Sequence, residues 1–199
     1  MTTSSDVSVA SPLPSEHGSQ FIRVVEIWRP DPDKGGLVLA DGAYGGLDEF
    51  QKASADTVFP YGKGLPGLAW QARHPKILSK FENSVFARTE IAHEAGLTSA
   101  VAIPIFAGEF VQAVILFLCG NSLDSEEATG AIEVWCEDVE LGCLKLSEGY
   151  YGDLQKFETL SRSIQFQKGV GLPGEVFSKE EPKLIPDITE DTSAFLRAK

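Results

Sequence analysis

Residues 26–78 can be laid over residues 133–185 without a gap, and 20 of the 53 pairs are identical. Self-similarity over this length means that one supersecondary unit occurs twice, so each local motif has to be read as part of that unit. EIW at 26–28 meets EVW at 133–135, and LVLADGAYGGLDEF at 37–50 meets LKLSEGYYGDLQKF at 144–157. Pro75-Lys76 meets Pro182-Lys183, and after a two-residue insertion Phe86-Ala87-Arg88 meets Phe195-Leu196-Arg197.

The repeat accounts for the most conspicuous motif. GKGLPG at 62–67 and GVGLPG at 169–174 both fit G-x-G-x-x-G, the spacing that cradles a pyrophosphate in dinucleotide-binding folds. The flanking residues argue against that use. SIQFQK, before the second hexapeptide, alternates polar and apolar, as a strand wet on one face does, whereas the first strand of a dinucleotide fold is buried on both faces. The apolar stretch LAWQAR stops at His74-Pro75, too short for a parallel crossover. Glu82 stands 20 residues after Gly62, near the offset of a ribose-binding acid, and is the one feature on the other side. The reading that remains is a tight turn with glycines at positive φ and Pro66 near the start of a short helix.

Around the hexapeptides, IRVVEIW and AIEVW alternate as half-buried strands, with second strands at LVLA and LKLS. LDEFQKASA and LQKFETLSRS read as short amphipathic helices. Trp28 and Trp135 fall mid-strand and are expected in the core. The first 19 residues are polar and rich in Ser and Pro, expect no order, and lack the basic and apolar blocks of a signal peptide.

Composition narrows the function classes. The net charge of −12, with 16 acids against 8 bases in residues 121–199, excludes a nucleic-acid backbone or an anionic membrane surface as the main partner. No apolar run is long enough to span a bilayer. Cys119, Cys136 and Cys143 lack metal-ligand spacing, so neither a metal nor another cofactor is called for, and reduced thiols in the cytoplasm are expected. Cys136 and Cys143 flank the turn EDVELG, where they could face each other.

Beyond the hexapeptide, copy one continues with NSVFARTEIAHEAGL, read as a helix, then TSAVAIPIF and EFVQAVILFLCG, two strands joined at Ala107-Gly108. A hairpin, a G-x-G-L-P-G turn opening a short helix, a strand after proline, and the phrase carried by Gly96, Leu97, Ser99, Ile103, Pro104 and Ile105 together resemble the GAF domain. The resemblance implies an α+β fold, a central antiparallel sheet with short flanking helices and a small-molecule pocket. The expected division is a tail at 1–19, a GAF-like domain at 20–122 and an incomplete second repeat at 130–199. The second copy stops near its equivalent of Arg88. Either the chain is a piece of a longer repeat protein, the favoured reading, or the half domain packs on copy one or on a second chain.

The resemblance also sorts functions. Bilin-binding members use a cysteine followed by histidine, and this helix carries Ile91-Ala92-His93 with no thiol. Sulfoxide reductases of the family need cysteines here, and the nearest is Cys119, at a strand end. SKFENS shares only Lys80-Phe81-Glu82 with the signature of cyclic-nucleotide members. No catalytic residue is assigned. The candidate ligand-binding residues are Tyr44, Trp70, Phe81, Phe86, Arg88 and His93. Arg88 and Arg197 would clamp a carboxylate or phosphate, or else sit solvated beside an acid. Tyr44, like its counterpart Tyr151, would offer its hydroxyl to a ligand or cap a turn. The expectation is a sensory or regulatory module that binds a small molecule non-covalently without catalysis. Its alternative is an interaction module with an occluded pocket, forming a homodimer.

Overall fold

The computed structural model describes residues 21–120 and 130–186, so the N-terminal tail, the junction at 121–129 and the Phe195–Arg197 stretch lie outside the described residues. In copy one the elements are β1 (Ile22–Asp31), β2 (Gly36–Ala43), α1 (Asp48–Ala55), β3 (Val58–Phe59), α2 (Gly64–Ala72), β4 (Lys76–Leu78), α3 (Thr89–Glu94), β5 (Leu97–Ala107) and β6 (Phe110–Gly120). They build an antiparallel sheet of six strands in the order β3-β2-β1-β6-β5-β4.

The sheet's buried face follows from strand periodicity. Along β1, Val24, Glu26 and Trp28 point into the core while Val25 and Ile27 are half-buried on the other face. On neighbouring β6 the inward set is Val114, Leu116 and Leu118, all fully buried. Helices α1, α2 and α3 pack over this inward face and contribute Phe50, Leu65, Ala69 and Ala92 to one core. The class is α+β with an antiparallel sheet, as the resemblance implies.

Copy two contributes β7 (Ile132–Asp138), β8 (Cys143–Tyr150), α4 (Gln155–Ser163), β9 (Gln165–Gln167) and α5 (Gly171–Lys179), with a sheet in the order β7-β8-β9. The hairpins of the two units share a detail beyond element order. Each has a register break just before its tryptophan, between Ile27 and Trp28 and between Val134 and Trp135. Among the described residues β7 pairs with β8 alone, whereas β1 also pairs with β6.

Both hexapeptides are self-closed turns. Gly62 donates its N–H to the Gly67 carbonyl at 3.0 Å, and Gly169 does the same to Gly174 at 2.7 Å. Gly62 and Gly64 adopt φ of 72° and 63°, the left-handed region that a side chain would strain. Each hexapeptide thus spends one amide inside its own turn and leads directly into a helix, α2 or α5.

The two units touch along β4, the edge strand of the larger sheet. Glu148 on β8 accepts from Lys76 Nζ and from the Ile77 backbone N–H, both at 3.0 Å, which satisfies a free edge donor. Phe21 stacks on Tyr150 at 5.8 Å between centroids.

Three expectations are corrected. The segment NSVFARTEIAHEAGL is helical only over Thr89–Glu94. Before it the chain turns at Asn83, φ 53°, where the Ser84 hydroxyl donates to the Phe81 carbonyl and accepts from the Phe86 N–H. Cys136 and Cys143 do not face each other: the register sets Cys136 opposite Lys145 and Cys143 opposite Asp138, with the first thiol exposed and the second buried. Trp28 is fully buried as expected, but Trp135 is only half-buried.

Candidate functional site

The centre of copy one is a buried ion pair. Glu26, inward-facing on β1 and fully buried, receives both arms of the Arg88 guanidinium, Nη1 to Oε1 at 2.6 Å and Nη2 to Oε2 at 2.9 Å. Such a fork-to-carboxylate geometry uses both oxygens and fixes the plane of the guanidinium. Trp28 Nε1 donates to the same carboxylate at 3.0 Å and the Tyr44 hydroxyl at 3.2 Å, so four donors converge on two oxygens. Arg88 Nη1 also donates to the Ser54 hydroxyl, which itself donates to the Phe50 carbonyl at 2.7 Å.

Aromatic rings wall the cation. The guanidinium carbon lies 4.6 Å from the Phe50 centroid and 5.5 Å from those of Trp28 and Phe86. The ring quadrupoles favour a cation there, and the carboxylate neutralises it. Burial, then the Glu26 charge, push the Tyr44 phenol well above its ordinary value. Arg88 Nε is buried without a hydrogen-bond partner. Above the pair an opening of about 500 Å³ lies between α1 and α3, lined by Ala53, Ala87, Arg88, Thr89, Glu90 and Ile91.

A second cleft, about 380 Å³, sits on the other side of α3 and is lined by Phe81, Glu82, His93 and Thr98 among others. At its rim His93 Nε2 and Glu82 Oε1 approach to 2.6 Å, both side chains more than half exposed. The Glu82 carboxyl is held below its ordinary value first by its own backbone N–H and then by His93. Phe81, which lines this cleft, stacks on Phe86 at 4.0 Å.

Of the residues singled out from sequence, Tyr44, Phe86 and Arg88 meet at the ion pair, and Phe81 and His93 at the neighbouring cleft. Trp70 stands apart on α2, edge-on to Tyr61 at 5.0 Å. Arg88 lines the opening but is not solvated: its guanidinium is engaged by Glu26 and its side chain is 5% exposed. The Tyr44 hydroxyl serves the carboxylate and neither caps a turn nor stands open to solvent. Sequence reasoning passed over Glu26 and Ser54. Both were marked, since each is identical in the two copies, as Glu133 and Ser161, and a glutamate on the inward side of an alternating strand needs a partner.

In fold the chain is similar to GAF domains. The GAF domain of a phosphoenolpyruvate-protein phosphotransferase (ptsP) from Coxiella burnetii matches at 18% identity and a TM-score of 0.42, over 50% of this chain and 58% of that one. The free methionine-R-sulfoxide reductase of Neisseria meningitidis, solved with its substrate, matches at 17% and 0.40, over 53% and 56%. The nlh2 GAF domain of A. aeolicus, in an inactive state, matches at 23% and 0.39, over 51% and 59%. This chain thus spans less than two thirds of each. No protein-family model matches the chain, and no curated protein does.

Proposed function

We propose that the chain is a non-catalytic regulatory module that binds a small neutral molecule, without a covalent bond, in the opening between α1 and α3. The observation that carries this reading is the orphaned Nε of Arg88, a buried donor beneath an opening that Arg88 itself lines. An unsatisfied buried donor costs free energy that a ligand's carbonyl or hydroxyl oxygen would recover. Glu26 already balances the guanidinium and Glu90 stands at the rim, so the site has no net attraction for an anion.

Thiol chemistry does not suit this site. Cys119 is buried, and burial pushes its pKa up to about 12, which keeps it a thiol and no nucleophile. The three unpaired cysteines fit a reducing compartment, which supports a cytoplasmic placement. Among the described residues no helix is long and apolar enough to cross a membrane.

One observation favours a second reading. The ion pair and the stacked Phe81 and Phe86 fill the space between sheet and helices, as in an interaction module whose pocket is closed. Native and denaturing mass spectra of the purified chain separate the two. An extra small mass in the native spectrum, lost when Ile91→Trp blocks the opening, supports ligand binding. A bare dimer supports the interaction module, and a bare monomer that no compound library stabilises sinks the ligand reading.

A further inference from the structure

The two units part where β8, the end of α4 and β9 enclose a cleft of about 240 Å³. Its lining includes Lys145, Arg162, Ser163 and Gln165, whose counterparts in copy one are Val38, Ala55, Asp56 and Val58. On either side the sequences agree, with Leu37 and Leu144, Ser54 and Ser161, and Phe59 and Phe166 as identical pairs. The frame is kept while the lining is rewritten. In copy one these positions hold an acid and no base, and in copy two, among the described residues, the cleft is lined by two bases and no acid.

We infer that this cleft binds a small free oxyanion of tetrahedral shape, such as phosphate. Each lining cation keeps donors beyond its ion pair. Lys145 Nζ donates to Asp138 at 2.6 Å and has further N–H bonds to give. Arg162 spends Nε and Nη2 on one oxygen of Glu158, at 3.0 and 2.7 Å, which leaves both N–H groups of Nη1. The Gln165 carboxamide accepts from the Cys143 thiol through Oε1 at 3.4 Å, so its Nε2 remains a donor. One guanidinium fork satisfies a planar carboxylate, whereas donors on two strands and a helix suit an ion that offers oxygens in several directions. The cleft is smaller than the pockets that enclose larger ligands, and a nucleotide would leave most of itself outside. The carbonyl end of α4 opposes an anion with about half a charge, which two cations outweigh. Ser163 also covers the Leu160 carbonyl there, at 2.8 Å. Lys145 and Arg162 are 43% and 59% exposed, so their carboxylate partners hold them weakly and an anion can share them. Binding on the order of a millimolar follows from that competition. This inference stands apart from any ligand above Arg88.

The test titrates the full chain with inorganic phosphate at constant ionic strength and follows nitrogen-15 spectra. Saturable shifts are expected at the Gln165 side-chain amide and at the backbone of Ser163 and Ile164, while Asp56 and Val58 of copy one stay in place. Lys145→Gln and Arg162→Gln replace exposed side chains, so the remaining signals should persist while each variant weakens binding about 10-fold, the scale of a charged hydrogen bond. Glu158→Gln releases Arg162 from its carboxylate and should tighten binding. Shifts that grow linearly without saturating, or that appear equally in copy one, overturn the site. Binding untouched by Arg162→Gln, or weakened by Glu158→Gln, overturns the role given to Arg162. Acetate saturating as tightly as phosphate overturns the tetrahedral preference.

Discussion

At the scale of single residues, copy one is organised by a charge pair that most proteins keep in water. Desolvating two ions costs several kcal/mol each, and only good geometry with further hydrogen bonds offsets it. Here Trp28, Tyr44 and Ser54 supply those bonds. Arg88→Ala strands the Glu26 charge and is expected to cost about 3–5 kcal/mol in urea unfolding. Glu26→Leu with Arg88→Met removes both charges at similar volume and should recover part of that loss, the remainder reflecting the Trp28 and Tyr44 donors left without Glu26. A single-variant cost under about 1 kcal/mol would show that the pair is relaxed by water. The thiols give a second expectation at this scale. In the native chain only the exposed Cys136 should react with a thiol reagent, and Cys119 and Cys143 should join it after unfolding. Rapid native labelling of Cys119 would contradict its burial.

At the scale of elements, the hexapeptides show how one motif serves packing. A Cβ on Gly67 would meet the Pro60 carbonyl oxygen, and one on Gly174 the Gln167 carbonyl oxygen, so the third glycine seats the helix against its own entry turn. Gly67→Ala should therefore destabilise copy one by about 1–3 kcal/mol, seen as a lower Tm. Nucleotides added to the wild-type chain should leave its Tm unchanged, because the Gly62 amide is already bonded to Gly67. A nucleotide-dependent rise in Tm would reopen the phosphate reading.

At the scale of the whole molecule, one carboxylate joins the units. Burial would raise the Glu148 pKa, but the Ile77 N–H and Lys76 together hold it below the ordinary value of 4.5. A carboxyl lowered by its folded contacts contributes stability above its ordinary pKa and loses it as pH falls. Contact between the units should thus weaken below pH 4.5 and hold through neutral pH. Glu148→Ala should release the Ile77 amide to hydrogen exchange at neutral pH, on the order of 10-fold or more for a charged hydrogen bond worth about 1.5–3 kcal/mol. Unchanged Ile77 protection would mean that this contact does not hold the edge.

Much of this was legible in the chain itself. The gap-free self-similarity marked the two stretches as alike, period-two alternation placed β1 and β9, and Trp28, expected in the core from its mid-strand position, is buried. The glycines announced their turns, because positive φ is a local property of one residue. The fate of Arg88 was not local. Whether an arginine is solvated or buried depends on what meets it, and Glu26 arrives from 62 residues away. Sequence spacing could mark both residues as repeated, but only the packing of the Arg88 segment against α1 and the inward face of β1 brought their charges together. The same holds for Glu148, an ordinary surface acid by its neighbours in sequence and an edge cap once β8 lies against β4. Local chemistry wrote the elements and their turns; the buried electrostatics came from long-range contacts that no window of sequence contains.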